Sequence, residues 1–526
     1  MQSSLASQMR KTVPALIADT KRSNLLLFLG IFITVLSVTP LLVWGGTTIG
    51  FNYILGVPVA LMIAALVVKW PLAGLYVVAG CVVLVEREPL PTGPIITDQL
   101  YVYYWPPNLT ALIERPIGFL LLFILLVLMS HRLTKRQRAL WGGPLLLPFI
   151  GFLLAVAWGI VHGLQTGGDF KIIVLEVRPF WYLFIAYLLA YNLLLQKRHI
   201  RAFFWLAILG AGVKGVQGTY IYLIALHGNL TNYHEILEHE DSYFFVAILL
   251  LLIIFCLHYR YRPQMYAILL ILPTMLIALV ANQRRTDYLA FLIGLGIAWV
   301  LIFLIKPEAR KQLAILGICS LLLSTGYVLA FSHASGAIGE PARAITSILN
   351  PSSANAADAS SNLYRQIEDS DLKYTVKQDP ILGWGFGKQF LQPIPLPVLT
   401  SPDYLYVPHN TIYWVWMRLG AIGYLLMWYL FGAAIVRGCL IARQLRDPYL
   451  QVVAIFIVAA TVMEIIVAYA DYQLFWYRNV LYTGLLLGML MKLPALDMDE
   501  EKEELTDETV SSISSSAPAS AVSKRT

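Results

Sequence analysis

The chain has 526 residues, of which 58% are hydrophobic and only 13% are charged. This composition excludes a string of soluble domains and indicates an integral membrane protein. The formal net charge is +7 at pH 7, but the Lys and Arg residues occur mostly in short clusters between apolar runs. That arrangement favours a membrane-topology signal over a nucleic-acid-binding surface.

Apolar runs long enough to cross a hydrocarbon core of about 30 Å recur along the chain. The first, 25–44, follows four basic residues and is longer than a signal-peptide core, so it predicts a retained helix that enters from the cytoplasm. Further spans are predicted at 50–68, 71–85, 116–130, 144–162, 179–195, 202–226, 243–257, 264–281, 287–305, 313–331, 409–436, 450–470 and 478–492. The fold class is therefore all-α: a polytopic membrane protein with about 14 transmembrane helices, within a range of 12–14.

Threading these spans in alternation places every basic cluster on the cytoplasmic side, as the positive-inside rule requires. The clusters lie at 132–138, 197–201, 260–262, 306–311 and 437–446. Both termini are then cytoplasmic, and the protein is a multi-pass protein of the cytoplasmic (inner) membrane. The predicted organisation is a cytoplasmic segment 1–23, helices 1–11 over 24–331, one long extracytoplasmic loop over 332–408, helices 12–14 over 409–492, and a disordered cytoplasmic tail over 493–526.

The segment 332–408 is the one loop large enough to cover a site. Its stretch 363–378 has the apolar spacing of an amphipathic helix lying along a membrane surface. The glycine-rich run from Gly383 to Gly387 predicts an irregular loop. A nucleotide-binding interpretation of this run is disfavoured, because no strand precedes it and no Lys-Ser/Thr pair follows it in register.

The pair His409 and Asn410 stands where this loop meets a membrane helix. A histidine can accept a proton near neutral pH, and here it would meet both lipid-borne and water-borne substrates. His409 as a loop or capping histidine and Asn410 as a helix N-cap are the structural alternatives. Gly420 and Gly423 are equally consistent with close helix packing in lipid.

Several arginines are predicted to lie on the same, non-cytoplasmic side, where positive charge is unusual. Arg284 and Arg285 are adjacent, and two guanidinium groups suit the bidentate binding of a diphosphate. The alternatives are pairing with Asp287 or anchoring of the helix end. Arg178, at a predicted helix start, and Arg365, on the amphipathic stretch, are possible additions to the anionic site or partners of nearby acids such as Glu368.

Three motifs in this order resemble the O-antigen ligase and O-antigen polymerase superfamily of membrane glycosyltransferases. They are Arg285-x3-Leu289, the loop sequence from Asp379-Pro380 through Gly387, and His409-Asn410-x9-Gly420-x2-Gly423. The resemblance is concentrated in about 284–430. Tyr424 departs from it, since ligases usually have Thr or Val there, and the family usually has about a dozen spans.

The resemblance implies a metal-independent glycosyltransferase without a cofactor. Its implied substrates are a glycan carried on undecaprenyl diphosphate and a lipid or glycan acceptor, joined at the outer face of the membrane during cell-surface polysaccharide synthesis, within a possible polysaccharide-assembly complex. It also implies that Arg284 and Arg285 hold the diphosphate and that His409 is the base. Ligase and polymerase both remain open.

Two other classes of function also remain. A transporter or flippase would use Lys214 and Glu464 as charges along its pathway, because ionisable groups deep in a span are costly and tend to be paired or functional. The sequence shows no internal repeat of the kind found in many transporters, which weighs against this class. The other class is a structural partner in an envelope-polysaccharide complex.

Overall fold

The computed structural model describes residues 51–86, 102–103, 114–136, 140, 142–230, 233, 235–334, 336, 338–350, 356–397 and 402–515. Helices dominate these residues and no β-strand occurs among them, which confirms the predicted all-α class. The N-terminal segment 1–23 and the first predicted span, 25–44, lie outside the described residues.

The chain divides into two units after Lys69. The first contains α1 (Phe51–Lys69), an apolar helix with Pro58 inside it. The second contains α2 (Pro71–Leu84), α3 (Pro116–Thr134), α4 (Leu146–Gln165), α5 (Phe170–Leu193), α6 (Lys197–Tyr220), α7 (His239–Leu257), α8 (Arg262–Ala281), α9 (Arg285–Ile305), α10 (Arg310–Phe331), α11 (Glu340–Leu349), α12 (Ala356–Gln378), α13 (Thr411–Gln444), α14 (Pro448–Ala470) and α15 (Tyr477–Ser515).

Eleven helices of the described residues are long and apolar enough to cross a membrane. They are α3 to α10 and α13 to α15, and they correspond one to one to the predicted spans from 116–130 onwards. The predicted spans 50–68 and 71–85 are also helical, as α1 and α2, but α2 has only 14 residues. The described structure therefore agrees roughly with the predicted 12–14 spans.

The start of the span predicted at 179–195 was wrong, because α5 begins nine residues earlier, at Phe170. Asp169 is its N-cap and accepts hydrogen bonds from the backbone N–H groups of Lys171 and Ile172, at 2.8 and 3.1 Å. This cap fixes the first turn. The charged residues at 171, 176 and 178 interrupt the apolar pattern, which is why the pattern placed the start too late.

The tail predicted to be disordered from 493 is instead helical as far as Ser515, as a continuation of α15. Glu and Lys, which are frequent after 497, are good helix formers despite their charge. Asp497, within this extension, accepts hydrogen bonds from the backbone N–H groups of Arg446 and Asp447, at 3.0 and 2.9 Å. Residues 516–526 lie outside the described residues.

Small residues let the central helices approach closely. α7, α14 and α15 are mostly buried, whereas α10 is almost wholly exposed. Gly484 and Gly488, one turn apart on α15, lie against the backbone carbonyls of Leu183 and Tyr187 on α5, where a methyl group would collide. This small-x3-small packing brings α15 into its extensive contact with α5.

Four of the predicted basic clusters, 197–201, 260–262, 306–311 and 437–446, lie together at one end of the helical bundle. Lys197, between α5 and α6, forms an ion pair with Asp447, between α13 and α14. Lys306, after α9, donates a hydrogen bond to the carbonyl of His258, after α7. Because successive spans are antiparallel, the starts of α9 and α13 and the end of α14 lie at the other end.

Candidate active site

A cavity of about 410 Å³ lies at the end of the bundle opposite the basic clusters. Its wall is formed by the starts of α9 and α13, the end of α14, one residue of α11 and the middle of α12. The lining residues are Arg285, Thr286, Leu289, Ser347, Asn362, Arg365, Gln366, Glu368, Asp369, His409, Asn410, Ile466, Tyr469 and Ala470. Four predicted site residues, Arg285, Arg365, His409 and Asn410, are therefore brought together here.

His409 is held by the buried carboxylate of Glu368, on α12. Nδ1 of His409 lies 3.1 and 3.2 Å from the two Glu368 oxygens, and its backbone N–H donates to Oε2 of the same residue at 3.0 Å. A carboxylate only accepts hydrogen bonds, so Nδ1 carries the hydrogen and Nε2 is left to accept a proton. This is the arrangement of a histidine base with a carboxylate that orients it.

Three tyrosine rings surround the His409 imidazole. The Tyr404 ring is parallel to it, with centroids 5.9 Å apart, Tyr364 is edge-on at 5.6 Å and Tyr472 is tilted at 5.0 Å. The Tyr404 and Tyr472 hydroxyls lie 3.0 Å apart. Burial and then the nearby Glu368 raise the pKa of Tyr364, so its ring stays neutral and restricts His409 sterically.

Arg285 is the first residue of α9 and is fixed in the cavity wall by two neutral partners. Its Nη1 donates to Oγ of Ser347 at 3.1 Å and its Nη2 donates to Oδ1 of Asn362 at 3.2 Å. A cation at a helix N-terminus opposes the helix dipole, which instead favours an anion there. The start of α13 points its own N-terminus at the same cavity, and Arg365 adds a second guanidinium. The wall is thus suited to an anionic ligand.

Arg284 does not line the cavity. It is the N-cap residue of α9 and forms an ion pair with Glu235, not with Asp287. Burial would raise the pKa of Glu235, but the hydrogen bond with His239 and the nearby Arg284 lower it to about 2. Adjacent residues at a helix start point in different directions, and the two arginines accordingly have different partners.

Asn410 combines a capping role with a place in the cavity wall. Its Oδ1 accepts a hydrogen bond from the backbone N–H of Tyr413 at 3.1 Å, which makes it the N-cap of α13. Its Nδ2 donates to Oδ1 of Asp369 at 3.1 Å. Burial raises the pKa of Asp369, and the hydrogen bond from Asn410 opposes that rise.

Arg178 lies away from the cavity lining, inside α5 rather than at a helix start. Its Nη1 donates to the Tyr477 hydroxyl at 2.7 Å, and its Nε lies 3.5 Å from a Glu114 oxygen. These contacts join α5 to α15 and to the residues before α3, so Arg178 has a structural position. The interpretation of Arg178 as paired with a nearby acid describes its surroundings better than a place in the anionic site.

The glycine-rich run inserts into a break in α13. At Gly420 the backbone leaves the helix, with φ 65° and ψ −172°, and the Cβ of any other residue would collide with the carbonyl of Ile381. All five N–H groups of the run donate to protein acceptors: Gly383 to Asp379 O, Trp384 to Met417 O, Gly385 to Arg418 O, Phe386 to Gly159 O and Gly387 to a Glu176 oxygen. None of these five N–H groups is left for a phosphate, so the run is a structural brace.

A buried ion pair holds this brace against the bundle. Arg418, fully buried on α13, pairs with Glu176 of α5 at 2.5 Å and donates hydrogen bonds to the carbonyls of Gly385 and Tyr406, at 2.9 and 2.8 Å. Glu176 also accepts from the indole of Trp414 at 3.3 Å. Because Trp414 and Arg418 belong to the first turns of α13, the pair fixes the helix that starts at the cavity.

Lys214 and Glu464 belong to two different buried networks. Lys214 forms ion pairs with Glu86 and with Asp241, the latter at 3.6 Å. Glu464 accepts a hydrogen bond from Asn479 at 3.0 Å. Lys214 is thus paired with two buried carboxylates, neither of which is Glu464.

Sequence reasoning missed Glu368 as the partner of His409, and also Asn362 and Ser347. A signal was available on α12, where polar residues recur with helical spacing at 362, 365, 366 and 369. Such a stripe predicts a polar helix face, although not what that face contacts. Within the described part of the chain, no group of three or more His, Cys, Asp or Glu side chains is placed to hold a metal ion.

Comparison with known families agrees with this geometry. No curated protein shows significant similarity to the chain. Residues 270–428 match the family model for O-antigen ligase, which covers less than a third of the chain but includes Arg285, α12, the glycine-rich run, His409 and the break at Gly420. The match supports an O-antigen ligase-like membrane enzyme in cell-surface polysaccharide biosynthesis, and the eleven candidate membrane spans of the described residues are consistent with it.

Proposed function

We propose that the protein transfers a glycan from undecaprenyl diphosphate to the hydroxyl group of a lipid or glycan acceptor at the outer face of the cytoplasmic membrane. The observation that carries the proposal is the presence of a Glu368-bound His409 and of Arg285 in the wall of one cavity at the helix ends. The outer face is favoured because the basic clusters gather at the opposite end of the bundle.

His409 is the general base in this proposal. The acceptor hydroxyl attacks the anomeric carbon of the donor sugar, and its proton passes to Nε2 of His409. The imidazolium that forms is stabilised through Nδ1 by the Glu368 carboxylate, 3.1 Å away. The bond between the anomeric carbon and the diphosphate breaks, and the lipid diphosphate leaves with the bonding electrons.

Charge neutralisation is the second task, and we assign it to Arg285 and Arg365. A diphosphate leaves without needing a proton, but its negative charge grows in the transition state. Two guanidinium groups and the N-termini of α9 and α13 offer positive charge and N–H donors at the cavity. The proposal therefore needs no metal ion and no cofactor.

The test is transfer from a purified undecaprenyl-diphosphate-linked glycan by the detergent-solubilised protein, with products separated on a gel. His409→Ala should reduce the rate by roughly two to four orders of magnitude. Arg285→Ala should lower kcat/KM for the donor, and Arg285→Lys should restore it only in part, because an ammonium group lacks the planar fork. A ladder of products indicates polymerisation, and one shifted acceptor band indicates ligation.

His162→Ala is the matched control. His162 also faces a carboxylate, with Nε2 3.7 Å from an Asp379 oxygen, but it lies outside the cavity lining. The His162→Ala protein should therefore transfer the glycan at the wild-type rate. Full activity of a well-folded His409→Ala protein would refute the assignment of the base. Loss of wild-type activity on addition of a chelator would refute the metal-independent mechanism.

A further inference from the structure

A second histidine is held between two carboxylates behind the cavity wall. Nδ1 of His239, at the start of α7, lies 2.6 Å from an Asp471 oxygen, and its Nε2 lies 2.9 Å from a Glu235 oxygen. Carboxylate oxygens only accept hydrogen bonds, so both ring nitrogens must carry hydrogen. The geometry therefore makes His239 an imidazolium cation.

The charges in this cluster balance in pairs. Arg284 forms an ion pair with Glu235, and His239 bridges Glu235 and Asp471. Burial would raise the pKa of Asp471, but the His239 cation and its hydrogen bond hold that pKa well below its usual range. Asp287, buried on α9, also interacts electrostatically with Arg284, Asp471 and His239.

The cluster is connected to His409 through the turn after α14. Ala470 lines the cavity, and the next residue, Asp471, accepts a hydrogen bond from the backbone N–H of Tyr472 at 2.9 Å. The Tyr472 ring lies against His409 on one side and is stacked on Trp476 on the other, at 5.1 Å. Trp476 is in turn stacked on His239 at 5.3 Å.

A second connection runs through the start of α13. Oγ1 of Thr411, two residues after His409, donates a hydrogen bond to the carbonyl of Asp471 at 3.2 Å. The two histidine rings thus stand at the ends of a series of ring contacts through Tyr472 and Trp476, and both histidines interact electrostatically with the Asp471 carboxylate. His409 and Arg365 both act electrostatically on that carboxylate.

We propose that His239 is a positioning residue whose imidazolium balances the Asp471 carboxylate and so sets the pH range over which His409 accepts a proton. This inference rests on the role proposed for His409. Among the described residues, the other titratable or charged groups around His409 are Tyr364, Arg365, Glu368 and Asp369 on α12, Arg285 on α9, Tyr404 before α13, Tyr469 on α14 and Tyr472 after α14.

The sign of the effect follows from the charges. If His239 loses its charge, the Asp471 carboxylate is left unbalanced and favours the protonated form of His409. His239→Gln should therefore move the acidic limb of the pH–rate profile to higher pH. Asp471→Asn removes the negative charge and should move the same limb to lower pH. The expected size is roughly one pH unit, the effect of a unit charge about 10 Å away at an effective dielectric constant of about 20.

Two readouts are needed, and the first is the pH dependence of glycan transfer. The second is the pH dependence of His409 modification by diethylpyrocarbonate, followed by mass spectrometry, since this reagent attacks the neutral imidazole whether or not the protein transfers sugar.

His239→Arg keeps a cation with several donors and should leave both profiles near the wild-type position. His258→Gln is the matched control, because His258 is a buried histidine bonded to Gln451 at 2.7 Å at the other end of the bundle.

Opposite shifts in His239→Gln and Asp471→Asn, with none in His258→Gln, would support the proposal, because a merely structural role predicts lost activity without opposite shifts. Equal profiles, or shifts in the same direction, would overturn it. If His239→Gln does not fold, the expected shift of Asp471→Asn and the unshifted His239→Arg still decide the question. Full activity in His409→Ala would instead refute the proposed function. The His409 modification profiles of the His239 and Asp471 variants would still test the electrostatic link.

Discussion

Replacing Glu368 with glutamine separates two contributions that this carboxylate makes to His409. The same oxygen, Oε2, lies 3.0 Å from the backbone nitrogen of His409 and 3.1 Å from its Nδ1. A glutamine oxygen at that position would keep both hydrogen bonds and therefore the tautomer. What the substitution removes is the negative charge that, in the proposed mechanism, stabilises the imidazolium formed during transfer.

The expected loss follows from the difference between two kinds of hydrogen bond. A bond to a charged group contributes about 1.5–3 kcal/mol and a bond between neutral groups about 0.5–1.5 kcal/mol. The difference of about 1–1.5 kcal/mol corresponds to a rate reduction of about five- to fifteen-fold. Glu368→Ala also frees the imidazole and leaves a buried N–H unpaired, so its rate should fall by about two to four orders of magnitude.

The assay is the initial rate of glycan transfer at equal amounts of folded protein. Asp371→Asn is the matched control, because Asp371 is a buried carboxylate on the same helix that accepts from the backbone N–H of Ile394, at 3.3 Å, and does not line the cavity. It should leave the rate nearly unchanged. A wild-type rate in Glu368→Gln would refute charge stabilisation, and a rate within tenfold of wild type in Glu368→Ala would refute the pairing of Glu368 with His409 as a catalytic unit.

Much of this site was predictable because its motifs are local. The predicted topology placed Arg285 and His409 on the same side of the membrane, and the family resemblance implied that they share a site; both line the cavity. The hydrophobic pattern also placed the eleven spans of the described residues, since each span is defined by its own residues.

Other features depend on contacts between distant parts of the chain. Glu368 is 41 residues from His409, and nothing local determines how α12 docks. Arg284 and Arg285 are neighbours, and only the exact start of α9 decides which one enters the cavity. Close helix packing was one interpretation of Gly420, but the structure shows a backbone with positive φ there, where the run from Gly383 inserts. Such features require tertiary structure rather than periodicity.

Two further predictions concern the brace and the membrane orientation. Gly420→Ala should lower the free energy of unfolding by about 2 kcal/mol or more, because φ is 65° and the new methyl group would meet the Ile381 carbonyl. It should therefore lower the unfolding temperature in detergent, whereas Gly432→Ala, with open space around it, should not. Equal unfolding temperatures for the two variants would contradict the role of the break. Leu363→Cys, in a background without the native cysteines, should react in intact cells with a thiol reagent that cannot cross the membrane, because the positive-inside rule predicts that the basic clusters lie in the cytoplasm. Lys311→Cys should react only after permeabilisation. The reverse labelling pattern would show that the proposed topology is inverted and that the cavity faces the cytoplasm.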